Sequence, residues 1–93
     1  MHNYTIELSA DNQPTVLERI LQVIRYRGFV LIDITSFLNE EQDSLDIKLV
    51  INDPKENKTS VGEGIHRLYD QLNKLFDVHK IKLIQTVDMQ YRA

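Results

Sequence analysis

The segment Leu17 to Phe29 (LERILQVIRYRGF) leaves the backbone few options. Leu17, Ile20, Leu21 and Ile24 recur at i, i+3, i+4 and i+7, which puts them on one stripe of an α-helix and demands an apolar surface to cover it. Pro14 suits the first turn, where a missing N–H costs little. Asp11 or Asn12, in the short polar loop ahead of it, can cap the helix. Gly28 follows the cationic turn of Arg25 and Arg27, where helices commonly stop in a left-handed residue. Phe29 to about Leu38 then reads at once as a strand. A helix over about 14–27 that hands the chain straight to a strand specifies a helix layer on a sheet. The stripe is expected to build the core. Val16 and Val23 lie beside it and widen the apolar arc, which suits either a thick helix packed on its own sheet or a flank that meets a second chain.

The rest of the chain supplies the sheet. Tyr4, Ile6 and Leu8 alternate with Thr5, Glu7 and Ser9, the pattern of a half-buried strand. In the strand after Gly28, Val30, Ile32 and Ile34 are expected on one side, with Leu31 and Phe37 apolar on the other. Residues 39–44 (NEEQDS) form a polar hairpin turn. Leu45, Ile47, Leu49 and Ile51 alternate with Asp46 and Lys48, the cleanest strand signal present. A polar loop containing Pro54 follows. Ser60 with Glu63 then makes a capping-box pattern ahead of a second amphipathic helix, marked by Val61, Ile65, Leu68, Leu72 and Leu75. Gly62 and Gly64 cost its first turn about 1 kcal/mol each relative to alanine. Residues 81–87 are the last strand, and 88–93 a loose tail. The order is βαββαβ, an α+β, ferredoxin-like sandwich of one domain over 1–93, with a four-stranded antiparallel sheet and two helices on one face.

Charge and composition exclude several functions. Net charge is −3 and the pI about 5.5, so nothing favours nucleic acid or an anionic membrane as partner. No apolar run approaches the roughly 18 residues of a membrane span, and no secretory leader pattern opens the chain. The chain contains no cysteine, which removes disulfides, thiolate metal sites and thiol catalysis, and fits the cytoplasm. His2, His66 and His79 share no ligand spacing, so no metal site is expected. The serines lack a nucleophile-elbow context, and Gly62-Glu63-Gly64 is too short for a phosphate loop. The third strand carries no aromatic for stacking RNA bases. No catalytic constellation emerges, and the chain reads as a binding or regulatory module.

Arg27-Gly28-Phe29, after a short polar loop and a first helix, resembles the entry into the second strand of the ACT domain family. The whole of Leu17 to Phe29 is similar to the first helix of the small regulatory subunits of acetolactate synthase (acetohydroxyacid synthase), isozyme II type. Gln71 to Leu75 followed by Asp77-Val78, and the closing Arg92-Ala93, resemble the same group; a longer loop over 54–64 departs from it.

The resemblance implies a non-catalytic regulatory subunit. It implies a large catalytic partner that condenses pyruvate with pyruvate or 2-oxobutyrate, on the way to valine, leucine and isoleucine. Thiamine diphosphate, magnesium and FAD would sit on that partner, leaving no cofactor for this chain. It further implies side-by-side pairing into a homodimer, through the second strand and first helix, with Val16, Val23, Val30 and Ile32 at the interface. In valine-sensitive members the first loop resembles Asn-x-x-Gly and an asparagine follows the Arg-Gly-aromatic turn. Here Asn12 matches the first asparagine, Thr15 stands where the glycine would be, and Val30 where the second asparagine would be. Both changes remove features that admit or hold a polar ligand, so weak or absent valine binding is expected. The same fold also suits a stand-alone amino-acid sensor serving another enzyme.

Overall fold

The computed structural model describes residues 3–57, 59, 61–75 and 77–85. The elements are β1 (Asn3–Asp11), α1 (Val16–Tyr26), β2 (Val30–Asn39), β3 (Ser44–Asn52), α2 (Glu63–Asn73) and β4 (Val78–Gln85). The strands form one sheet in the order β2-β3-β1-β4, with every neighbouring pair antiparallel, so β2 and β4 are its edges. The expected βαββαβ sandwich is what the chain adopts.

Alternation decides which face the helices cover. Tyr4, Ile6, Leu8 and Ala10 of β1 pair with Ile51, Leu49, Ile47 and Leu45 of β3. Paired residues share a face, and this set is almost entirely buried against Val16, Ile20 and Ile24 of α1 and Ile65, Leu68 and Leu72 of α2. The core line of α1 therefore has i, i+4, i+8 spacing through Val16. Leu17, Leu21 and Val23 pack around it half-buried. The stripe expected over Leu17, Ile20, Leu21 and Ile24 keeps Ile20 and Ile24 in the core but is rotated toward Val16, because six apolar positions in three turns fix the width of a stripe more firmly than its middle.

The ends of α1 were partly legible. Thr15 is the N-cap and makes no side-chain capping bond. Asn12 instead donates from Nδ2 to Asp43 Oδ1 at 3.2 Å, and Asp11 pairs with His79. The C-terminal stop falls where glycine puts it. Gly28 has φ +82°, its N–H donates to Arg25 O at 2.9 Å, and the Phe29 N–H donates to Ile24 O at 3.1 Å. That pair of bonds satisfies the last carbonyls of the helix and turns the chain into β2.

Three expected details change. The register of β2 on β3 shifts between Leu31 and Asp33, so Ile32 sits on a bulge. Leu31 and Ile34, paired with Ile51 and Leu49, register with the core face, and the simple Val30/Ile32/Ile34 alternation does not hold. α2 begins at Glu63 with Gly62 (φ +86°) as N-cap, which puts Val61 outside the helix, half exposed. Ser60, the expected cap, lies outside the described residues, as do Val87 and the tail over 88–93. β4 starts at Val78 and not at Ile81, because a bulge at His79 lets Val78 pair with Ala10.

The described part of the loop between β3 and α2 is tied back to the sheet through Glu56. The Tyr4 hydroxyl donates to Glu56 Oε2, and the same oxygen accepts the Gly62 N–H at 3.0 Å. A Cβ added at Gly64 would overlap Asp53 Oδ2, which is why glycine stands in the first turn of a helix that would otherwise favour alanine. Burial of the Tyr4 phenol, together with its bond to the Glu56 carboxylate and the charges of Glu56 and Asp53, pushes its pKa above the usual tyrosine range. The unfolded chain releases this proton near pH 10 while the folded chain keeps it, so the associated stability is complete below about pH 10 and is lost as the pH rises further. Urea unfolding between about pH 9 and pH 11 should show this alkaline loss, and Tyr4→Phe should flatten it while costing about 1–3 kcal/mol at neutral pH. Equal alkaline slopes in the two proteins would contradict the assignment.

Candidate functional site

The residues singled out from sequence lie at the two ends of α1. Asn12 and Thr15 precede it, exposed, and Val30 follows it as the first residue of β2, about half exposed. Eleven helical residues rise about 16 Å between them. The three therefore do not converge within one protomer. A pocket using all of them would take Asn12 and Thr15 from one copy and Val30 from another. A groove of about 820 Å³ lies on the helix-free face of the sheet, lined by Thr35, Phe37, Lys48 and Lys82 among others, and none of the three residues borders it.

The residues read as an interface divide. Val16 is 1% exposed and belongs to the protomer's own core, so it has no surface left to give a partner. Val23 is half-buried against the same core. Val30 and Ile32 are exposed on the edge strand, Ile32 to 53%. They are joined there by apolar groups the sequence pattern did not mark as exposed: Leu31, Leu38 and, at 62%, Phe37. On β2 the pairing to β3 uses one edge only, so an apolar strand is left with its other backbone edge open.

What fixes Val30 and the start of that edge is a cluster that sequence reasoning took for a solvated loop. Lys55 Nζ donates to Arg27 O at 2.7 Å, at the end of α1, and pairs with Asp53 Oδ1 at 3.1 Å. Its ammonium also stands 5.0 Å over the Phe29 ring. The Asp53 side chain is only 4% exposed, and its Oδ1 also accepts the Lys55 N–H at 3.1 Å. This carboxylate-to-i+2 amide bond is the turn that an Asp-Pro start favours, and Asp53-Pro54 is the one signal that pointed to it. Arg27 reaches the other way, donating from Nε to Gln71 Oε1 of α2 at 2.6 Å. The Arg-Gly-aromatic turn is thereby held from both sides. Among the described residues no group of three or more His, Cys, Asp or Glu side chains is placed to hold a metal ion. The arrangement is one of positioning, not of bond-making chemistry.

The comparisons agree with this reading. The sequence pattern of the ACT domain family matches residues 12–81. The acetolactate synthase isozyme 2 small subunit of Escherichia coli K12 is 30% identical over 95 residues, covering all of both chains, and that of Shigella flexneri aligns equally well. Among solved structures, the acetolactate synthase small subunit of Thermotoga maritima superposes with a TM-score of 0.72 at 20% identity, over 95% of this chain and 50% of that one. The ACT domain of a Chlorobium tepidum GTP pyrophosphokinase gives 0.69 at 15%, over 90% of this chain and 100% of that one. These last two likenesses establish the shared fold.

Lys55→Met should lose the bond to Arg27 O and leave Asp53 without its ammonium. Denaturant unfolding should show a loss of about 1–2 kcal/mol, with faster amide exchange at Val30 and Leu31. Unchanged stability and exchange would show that the turn stands without Lys55.

Proposed function

The chain belongs to the ACT domain family, and from that premise we propose that it is the small regulatory subunit of an acetolactate synthase, acting in branched-chain amino-acid biosynthesis. Its role is regulatory and not catalytic. The observation that carries the reading is the 30% identity with the E. coli isozyme 2 small subunit, end to end on both chains. In this proposal it binds the large catalytic subunit, which holds thiamine diphosphate, magnesium and FAD, and raises its activity in the cytoplasm. Reconstitution tests it directly. Added to a purified acetolactate synthase large subunit, the protein should raise acetolactate formation several-fold; no change in rate at saturating ratios would sink the reading.

Two finer statements belong to the same proposal. The working unit is a homodimer formed by antiparallel apposition of the two β2 edges, with Val30, Ile32 and the neighbouring Leu31 covered and Val23 at its margin. Such pairing brings the start of one β2 toward the Asn12–Thr15 loop of the other protomer, assembling the effector-site positions across the interface. Those positions are blunted. Thr15 crowds a helix start that glycine would open to a ligand's carboxylate or amine, and Val30 offers no polar partner. At about 1–3 kcal/mol per lost contact, the two changes weaken valine binding by roughly two orders of magnitude or more. Calorimetry should detect no low-micromolar valine binding, and Thr15→Gly with Val30→Asn should bring it back. Sedimentation at tens of micromolar should give a dimer that Ile32→Lys dissociates; a monomeric wild type would overturn the pairing.

A further inference from the structure

The two helices take one face of the sheet, and the opposite face carries the open groove of about 820 Å³. Strand pairing fixes which side chains stand on it. Glu7 of β1 lies between Lys48 of β3 and Lys82 of β4. In the next row Ser9 lies between Asp46 and Lys80, with Phe37 of β2 beside Asp46. Phe37 is 62% exposed, a large apolar ring standing among charges. Joining two β2 strands along their backbone edges would not cover it, because strand side chains stand roughly perpendicular to the sheet and this one rises from the face.

The charges around the ring say what would cover it. Three lysines and two carboxylates border the groove, so it holds one net positive charge on a chain whose total is −3. Asp46 already accepts the Ser9 hydroxyl at 2.8 Å, and Glu7 is the single carboxylate between two lysines. Lys48, Lys80 and Lys82 are all exposed. An exposed aromatic ringed by ammonium groups has the make-up of an interface anchor with a charged rim. The surface that complements it is acidic around an apolar side chain. Size points the same way. Four strands about 4.8 Å apart, each of 8 residues or more at about 3.3 Å, present a face of roughly 500 Å². Alone that falls short of the roughly 800 Å² that a stable complex takes from each partner. Two such faces joined through β2 would offer about 1,000 Å² in one sheet, which suffices.

We propose that the helix-free face of the sheet is the docking surface for the large catalytic subunit, with Phe37 as the apolar anchor and Lys48, Lys80 and Lys82 meeting an acidic patch on that partner. The inference rests on the acetolactate synthase reading and on β2 pairing, and adds to them the surface that grips the partner.

Reconstitution with a purified large subunit tests it, read as the concentration of this protein that gives half-maximal activation. Phe37→Ala should raise that concentration about tenfold. Lys80→Glu with Lys82→Glu should raise it by as much or more, and the wild type should lose its advantage over this double variant as salt is added. Arg67→Glu, the same reversal at an exposed position of α2, should leave it unchanged. Sedimentation and amide NMR report whether each variant is still a folded dimer. A wild type that does not raise the rate overturns the subunit reading and takes this surface with it. Activation by the wild type and by both face variants at the same concentration overturns the docking surface alone. So does a wild-type tetramer that the double variant returns to a dimer, since a second copy would then cover the face, and so does loss of the dimer in Phe37→Ala.

Discussion

The Phe29 N–H bonded to the Ile24 carbonyl, across a left-handed Gly28, is the contact on which the rest of the architecture leans. It ends α1, turns the chain through a tight corner and delivers Val30 into the sheet one residue later. A non-glycine residue at φ +82° would be strained, and a Cβ there would come within 2.9 Å of Lys55 Nζ. The cation is close because it serves the same corner: it caps the Arg27 carbonyl, covers Phe29 and neutralises a buried aspartate. The chain thus secures this turn twice, once through backbone geometry and once through a side chain some thirty residues distant in sequence.

What could be read in the sequence followed the range of the forces involved. Helix stripes, the alternation of Leu45 to Ile51 and the glycine stop are local patterns, and they gave the element order and the class of fold. Which apolar residue of α1 lies deepest depends on how the helix rolls against β1 and β3. That is a tertiary choice, and it made Val16 a core residue where the pattern suggested an interface. The bulges at Ile32 and His79 were invisible for a similar reason: a bulge is a property of two paired strands, and the sequence shows one at a time. Asp53, Lys55 and Glu56 looked like a solvated stretch because their partners, Arg27, Phe29 and Tyr4, lie far along the chain.

The candidate positions came from the sequence, and their separation in space did not. Asn12, Thr15 and Val30 were picked out by position in a family pattern, and the structure adds that α1 holds them apart. In the proposed homodimer, the effector positions would come together only on association of two chains. Among the described residues, buried polar groups such as Asp53 tie loops together. The helices spend their apolar faces on the core.

The two edges of the sheet are unlike, and that difference limits growth. β2 presents exposed Val30, Leu31 and Ile32, whereas β4 carries Lys80 and Lys82. A head-to-tail arrangement, one copy's β2 on another's β4, would repeat without end and build a ribbon. It would also set an apolar strand beside two cations that must shed their water. In the proposed homodimer, like-to-like joining of β2 would cover the apolar edge in a single step and leave the two β4 strands as outer rims. The lysines of β4 would then act as a stop: the sheet would double but not polymerise.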